Sequence, residues 1–119
     1  MKIAITSKGK DLDSQIDPRF GRAAYILIVD TRHQGVEVLD NSENANAFKG
    51  AGIQAAVTVS DRGAKVLLTG YCGPNAFKTL KAAGIKVAND VTGTVRDALI
   101  AYREGKVSFA DSANAEASW

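Results

Sequence analysis

The chain reads as an α/β domain on a mixed sheet, and three observations carry that reading. Tyr25-Ile26-Leu27-Ile28-Val29 is a continuous apolar run, the composition of a strand buried on both faces. The alternating run Val36-Glu37-Val38-Leu39 follows it across a short polar stretch, which is a hairpin pattern. Beyond Lys49, strand-like and helix-like segments alternate, as parallel strands joined by right-handed crossovers require.

Taken in order, Lys2 to Thr6 is a first strand, bounded by the polar run Ser7-Lys8-Gly9-Lys10. The hairpin strands come next, with Thr31 to Gly35 as their loop. Gly52 to Arg62 carries Ile53, Ala56, Val57 and Ser60 at helical spacing, and Gly63 is placed to stop that helix. Val66-Leu67-Leu68-Thr69 is a fourth strand. Gly73-Pro74 opens a helix, because proline suits the first helical turn, and Gly84 closes it. Ile85-Lys86-Val87-Ala88 is the fifth strand. Thr94-Val95-Arg96-Asp97 has the form of a capping box for a last helix with Leu99 and Tyr102, running to about Gly105. Ser108 to Trp119 lacks periodicity and reads as a flexible tail, which leaves one domain over residues 1–107.

Composition narrows the function. A length of 119 residues suits one core, and a net charge of +2 is too small for a nucleic-acid face. Cys72 is the single cysteine, which excludes an internal disulfide and multi-thiolate zinc sites. The start, Met1-Lys2-Ile3-Ala4-Ile5-Thr6, turns polar too soon for a signal peptide, and no apolar run is long enough to span a bilayer. A cytoplasmic protein is expected, without a membrane or nucleic-acid partner.

Three loops stand out. Asp17-Pro18-Arg19-Phe20-Gly21-Arg22 lies in a connection, Ser7 to Ala24, that is long for so small a domain. It is either a tether, with Phe20 plugging the core and its arginines solvated, or a stiff loop offering Arg19 and Arg22 as fork-shaped donors to an anion. The second reading is favoured. Asp11, Asp13 and Asp17 either pair with these arginines or keep the loop soluble.

Gly70-Tyr71-Cys72-Gly73-Pro74-Asn75 joins a strand to a helix N-terminus, where free N–H groups attract anions. An ordinary tight turn explains the glycines equally well. Cys72 is a small buried hydrophobe or, near a helix start, a ligand for a soft metal. Gly50-Ala51-Gly52-Ile53-Gln54-Ala55-Ala56 matches the dinucleotide pattern by letters. It does not leave a strand directly, however, and no acid follows about twenty residues on. It reads instead as a second helix start that a ligand or a neighbouring backbone can approach. His33 is a lone loop histidine, and Asp30, Asp40 and Asp90 are too scattered for two-metal nuclease chemistry.

Together with Met1-Lys2-Ile3-Ala4-Ile5, Gly50-Ala51-Gly52-Ile53 and Leu80-Lys81-Ala82-Ala83-Gly84-Ile85, the first two loops resemble the dinitrogenase iron–molybdenum cofactor biosynthesis family over residues 1 to 107. The resemblance implies a ribonuclease H-like fold, with a five-stranded mixed sheet, the second strand antiparallel, flanked by helices. It also implies a non-catalytic carrier or shield for a metal–sulfur cluster. The short chain looks more like the family's orange protein than its fused nitrogenase enzymes. That likeness implies a noncovalent molybdenum–copper sulfide cluster as cofactor, with an iron–molybdenum–sulfur precursor as the alternative. A cluster-delivering or regulatory protein is a further possible partner, and a cluster-free interaction module is the rival reading.

Some family carriers have a histidine beside the Gly-x-Gly helix start, where this chain has Phe48-Lys49 before Gly50. Histidine ligation is weakened there, and Lys49 remains as an electrostatic contact. With one thiol, several protein thiolates cannot hold a cluster. The expected lining is therefore Arg19, Phe20, Gly21, Arg22, Lys49, Gly50, Gly52, Tyr71, Cys72, Gly73 and Asn75, from loops 17–24, 49–53 and 70–75. Cys72 is the one candidate metal ligand.

Overall fold

Alternation along each strand divides the core into two layers, one on each face of a single sheet. In the computed structural model, which describes residues 1–33 and 35–115, the strands are β1 (Lys2–Ser7), β2 (Tyr25–Asp30), β3 (Val36–Asp40), β4 (Ala64–Leu68) and β5 (Lys86–Ala88). Their order is β3-β2-β1-β4-β5. β1 pairs antiparallel with β2 and parallel with β4, β2 is antiparallel to β3, and β4 is parallel to β5. β2 therefore runs against the other four, as expected.

The helices are α1 (Ser42–Ala45), α2 (Ala51–Asp61), α3 (Pro74–Ala82) and α4 (Val95–Arg103). Ala4, Ile26, Ile28, Leu67 and Val87 face α2 and α3, where they meet Ala55, Val59, Phe77 and Leu80. The residues between them, Ile3, Ile5, Leu27, Val29, Val66 and Leu68, face α4 through Val95, Ala98 and Leu99. A period of two on β1, β2, β4 and β5 thus sorts the apolar residues between the layers. Among the described residues no helix is long and apolar enough to cross a membrane.

Two differences from the expectation matter for the site. The polar stretch 41–49 contains the one-turn helix α1, which has no buried residue to mark it in the sequence. The stretch expected as a tail is bonded back onto the domain as far as residue 114. Phe109 bridges Ala88, Ala110 N–H donates to the Val87 carbonyl at 2.7 Å, and Asn114 reaches the β4–α3 turn. Trp119 lies outside the described residues.

Candidate functional site

The loop after β1 is fastened at both ends before it reaches the site. Thr6 Oγ1 donates to the Asp17 carbonyl at 2.7 Å, and Asp17 N–H donates to the Thr6 carbonyl at 3.1 Å. The buried Asp17 carboxylate does not pair with the arginines. Its two oxygens accept the Arg19 and Ala24 N–H groups at 3.2 and 3.1 Å, closing residues 17–24 on themselves. Asp13 pairs instead with Arg96 at 3.0 Å.

The next residues run beside the β4–α3 turn. Tyr71 N–H donates to the Pro18 carbonyl at 2.6 Å, and Phe20 N–H donates to the Tyr71 carbonyl at 3.1 Å. Gly21 then meets the first turn of α2. A Cβ on Gly21 would lie 2.6 Å from Gly52 N and 2.7 Å from Gly52 Cα, so only glycine allows this approach. Asn41 and Asn44 lock the contact. Asn41 Nδ2 donates to the Gly21 and Ala23 carbonyls, and Asn44 Nδ2 donates to those of Gly21 and Ala51.

These contacts bring the starts of α2 and α3 to one cavity of 210 Å³, lined by Gly21, Arg22, residues 48–53, Gly73, Asn75 and Ala76. Neither helix has a side-chain cap or an acid in its first turn. Gly50, at φ +82°, and Gly73 stand at the two N-cap positions. The first helical bonds run from Gln54 N–H to the Gly50 carbonyl and from Phe77 N–H to the Gly73 carbonyl. The N–H groups ahead of them have no intrahelical acceptor, and the positive ends of both helix dipoles converge. α4 contrasts: Thr94 and Asp97 cap it reciprocally. Arg22 and Lys49 line the cavity and no carboxylate does, while Lys49 makes no ion pair among the described residues. The arrangement can bind an anion.

Of the residues expected to line the site, Gly21, Arg22, Lys49, Gly50, Gly52, Gly73 and Asn75 meet around this cavity. Arg22 does so with a brace as well as a charge: its Nη1 donates to the Ala45 and Ala47 carbonyls, each at 3.0 Å, which holds the segment carrying Lys49. Phe20 corrects the expectation of ligand contact. The residue is 1% exposed and belongs to the α2/α3 core layer, whose helix residues Ala55, Ala56 and Ala76 are small and leave room for a large apolar side chain. Cys72 is corrected likewise. It is buried outside the cavity lining, and burial pushes its thiol up to about 12, so it stays protonated and is a poor ligand. Arg19 and Tyr71 are exposed beside the cavity, joined through their backbone bridge, and do not line it.

The sequence reading missed Phe48, which is 95% exposed at the rim, and Ile53, an exposed side chain in the first turn of α2. An aromatic residue in a polar stretch beside a glycine helix start was the available signal. Asn41 and Asn44 were missed too, their side-chain bonds being tertiary. No group of three or more His, Cys, Asp or Glu among the described residues could hold a bare metal ion.

Residues 1–105 match the sequence profile of the dinitrogenase iron-molybdenum cofactor family. The chain belongs to this family. Among solved structures it is similar to the apo form of the orange protein from Desulfovibrio gigas, at 46% identity and a TM-score of 0.93, covering 96% of both chains. A NifB-like protein from Thermotoga matches at 40% identity and a TM-score of 0.84, with 97% of both chains covered. An uncharacterized protein of Methanocaldococcus jannaschii is 26% identical over 110 residues, covering 90% of this chain and 89% of that one. The family and these neighbours suggest a non-catalytic metal-cluster carrier.

Proposed function

We propose that this chain binds and carries an anionic metal–sulfur cluster, a molybdenum–copper sulfide, noncovalently and without catalysing a reaction, in the cytoplasm. One observation carries the reading: two uncapped helix N-termini and two cations, with no carboxylate, surround a single cavity. Sulfide-coated anions need no protein ligand on the metal. They accept hydrogen bonds from backbone N–H groups, and cations offset their charge. Arg22 and Lys49 supply that charge, while exposed Phe48 and Ile53 give apolar contact to weakly hydrated sulfur. Arg19, just outside the lining, steers the anion inward.

An iron–molybdenum–sulfur precursor is the alternative cargo, supported by the family and the NifB-like neighbour. Both would use the same donors. The test is reconstitution with tetrathiomolybdate, with and without copper, reading cluster absorption and metal content retained through gel filtration. The native chain should retain molybdenum and copper together. Lys49→Glu should weaken uptake roughly tenfold, the scale of one charge-assisted contact. A native chain that stays colourless and metal-free, or a Lys49→Glu variant of undiminished affinity, refutes the proposal.

A further inference from the structure

Backbone groups alternate in direction along an extended segment, and residues 70–72 use both of their edges. On one edge Tyr71 exchanges bonds with Pro18 and Phe20. On the other edge stands Asn114, from beyond the segment that matches the family. Cys72 N–H donates to Asn114 Oδ1 at 2.8 Å, Asn114 Nδ2 donates to the Gly70 carbonyl at 2.9 Å, and Asn114 N–H donates to the Cys72 carbonyl at 3.1 Å. One residue thus serves three backbone groups in the turn that ends at Gly73, the N-cap of α3 and part of the cavity wall. The approach is anchored upstream, where Ala110 N–H bonds the Val87 carbonyl and the Phe109 ring lies 5.4 Å from Lys86 Nζ.

We infer that Asn114 is a positioning residue for the anion site: it latches the C-terminal segment to the β4–α3 turn and so fixes the α3 N-terminus against the bound cluster without touching it. Without the Asn114 side chain, the turn is held on its Pro18–Phe20 edge, through the Asp90 N–H bond to the Gly70 carbonyl and by the one backbone bond from position 114 to the Cys72 carbonyl, and α3's first N–H groups lose their fixed aim. The inference rests on the cluster-binding reading above and adds a residue that motif matching does not reach.

The test compares the full chain with Asn114→Ala and, as a control from the same segment, Ser112→Ala. Affinity is measured by absorbance titration with tetrathiomolybdate plus copper, and amide exchange is followed residue by residue. Asn114→Ala should weaken binding about tenfold, the lower end for residues that support a metal site from behind. It should speed exchange of the Cys72 N–H while leaving strand amides such as Ile5 and Leu67 protected, which shows the fold is intact. Ser112→Ala should match the native chain in both. Faster Cys72 exchange with unchanged affinity overturns the positioning role, and unchanged exchange overturns the latch itself. A native chain that takes up no cluster sinks the function reading instead, and the Cys72 amide still reports whether the latch exists.

Discussion

Gly21→Ala tests whether the three loops are truly interlocked. The added Cβ would lie 2.6 Å from Gly52 N, 2.7 Å from Gly52 Cα and 2.9 Å from Ala51 C. All three are backbone atoms in the first turn of α2, so no side-chain rotation relieves them. Overpacking of this kind costs about 2–3 kcal/mol. The smaller entropy of unfolded alanine offsets about 0.5–1 kcal/mol of that. The net loss, roughly 1–2.5 kcal/mol, lowers the melting temperature by about 4–10 °C for a domain of this size. The fold can relieve the contact by moving residues 21–22 off α2, which opens the cavity and withdraws Arg22. Cluster affinity should therefore fall with stability. Gly35→Ala is the control, since a Cβ there meets nothing within 4 Å. Thermal melts by circular dichroism and cluster titrations read both effects. A Gly21→Ala protein that melts with the native chain and binds as tightly refutes the interlock.

Three further outcomes follow from the same geometry. Cys72→Ala should leave cluster affinity unchanged and cost about 1 kcal/mol of stability, checked by titration and urea unfolding. The buried thiol also sets a pH dependence: its folded pKa is raised from 9.0 to about 12, so its contribution is complete below pH 9 and is lost as pH rises toward 12. Alkylation at neutral pH should accordingly be slow in the folded chain and fast once it unfolds. Gly73→Asp should cap α3 at an extended backbone position, φ −73° and ψ 168°. It should raise stability by about 0.3–1 kcal/mol and abolish cluster uptake, read by melts and reconstitution, because the new carboxylate occupies the anion's donors.

The sheet was legible because its strands state their burial in their composition. Tyr25 to Val29 is apolar throughout and lies between two layers, while Val36 to Leu39 alternates and forms the more exposed edge. Gly63 and Gly84 stop their helices where the sequence placed them, and Thr94 with Asp97 makes the anticipated capping box. What stayed hidden depends on contacts between distant segments. α1 is one turn without a buried residue, and the docking of residues 109–114 relies on backbone groups of Val87 and Cys72. No local period records such pairings.

The site shows the same division at finer grain. Residue types singled out three loops with residues that meet around one cavity, yet they could not say which side chains face it. Phe20 and Arg22 are two residues apart in one motif, and one fills the core while the other lines the site. The anion-binding capacity resides largely in N–H groups that no side chain advertises, but their availability does leave a trace. α4 begins Thr94-Val95-Arg96-Asp97 and satisfies its own N-terminus. α2 and α3 begin Gly50-Ala51-Gly52-Ile53 and Gly73-Pro74-Asn75-Ala76, with glycine where a capping side chain belongs and no acid in the first turn. Glycine in place of a serine or aspartate cap costs a helix only a few tenths of a kcal/mol. That small loss leaves two sets of donors free, and the Gly21–Gly52 contact and the Tyr71 bridge bring both sets to the same cavity. Two glycine-started, acid-free helix N-termini in one small domain are therefore a stronger pointer to the proposed anion site than the arginines of Asp17–Arg22, whose loop serves chiefly to hold those starts together.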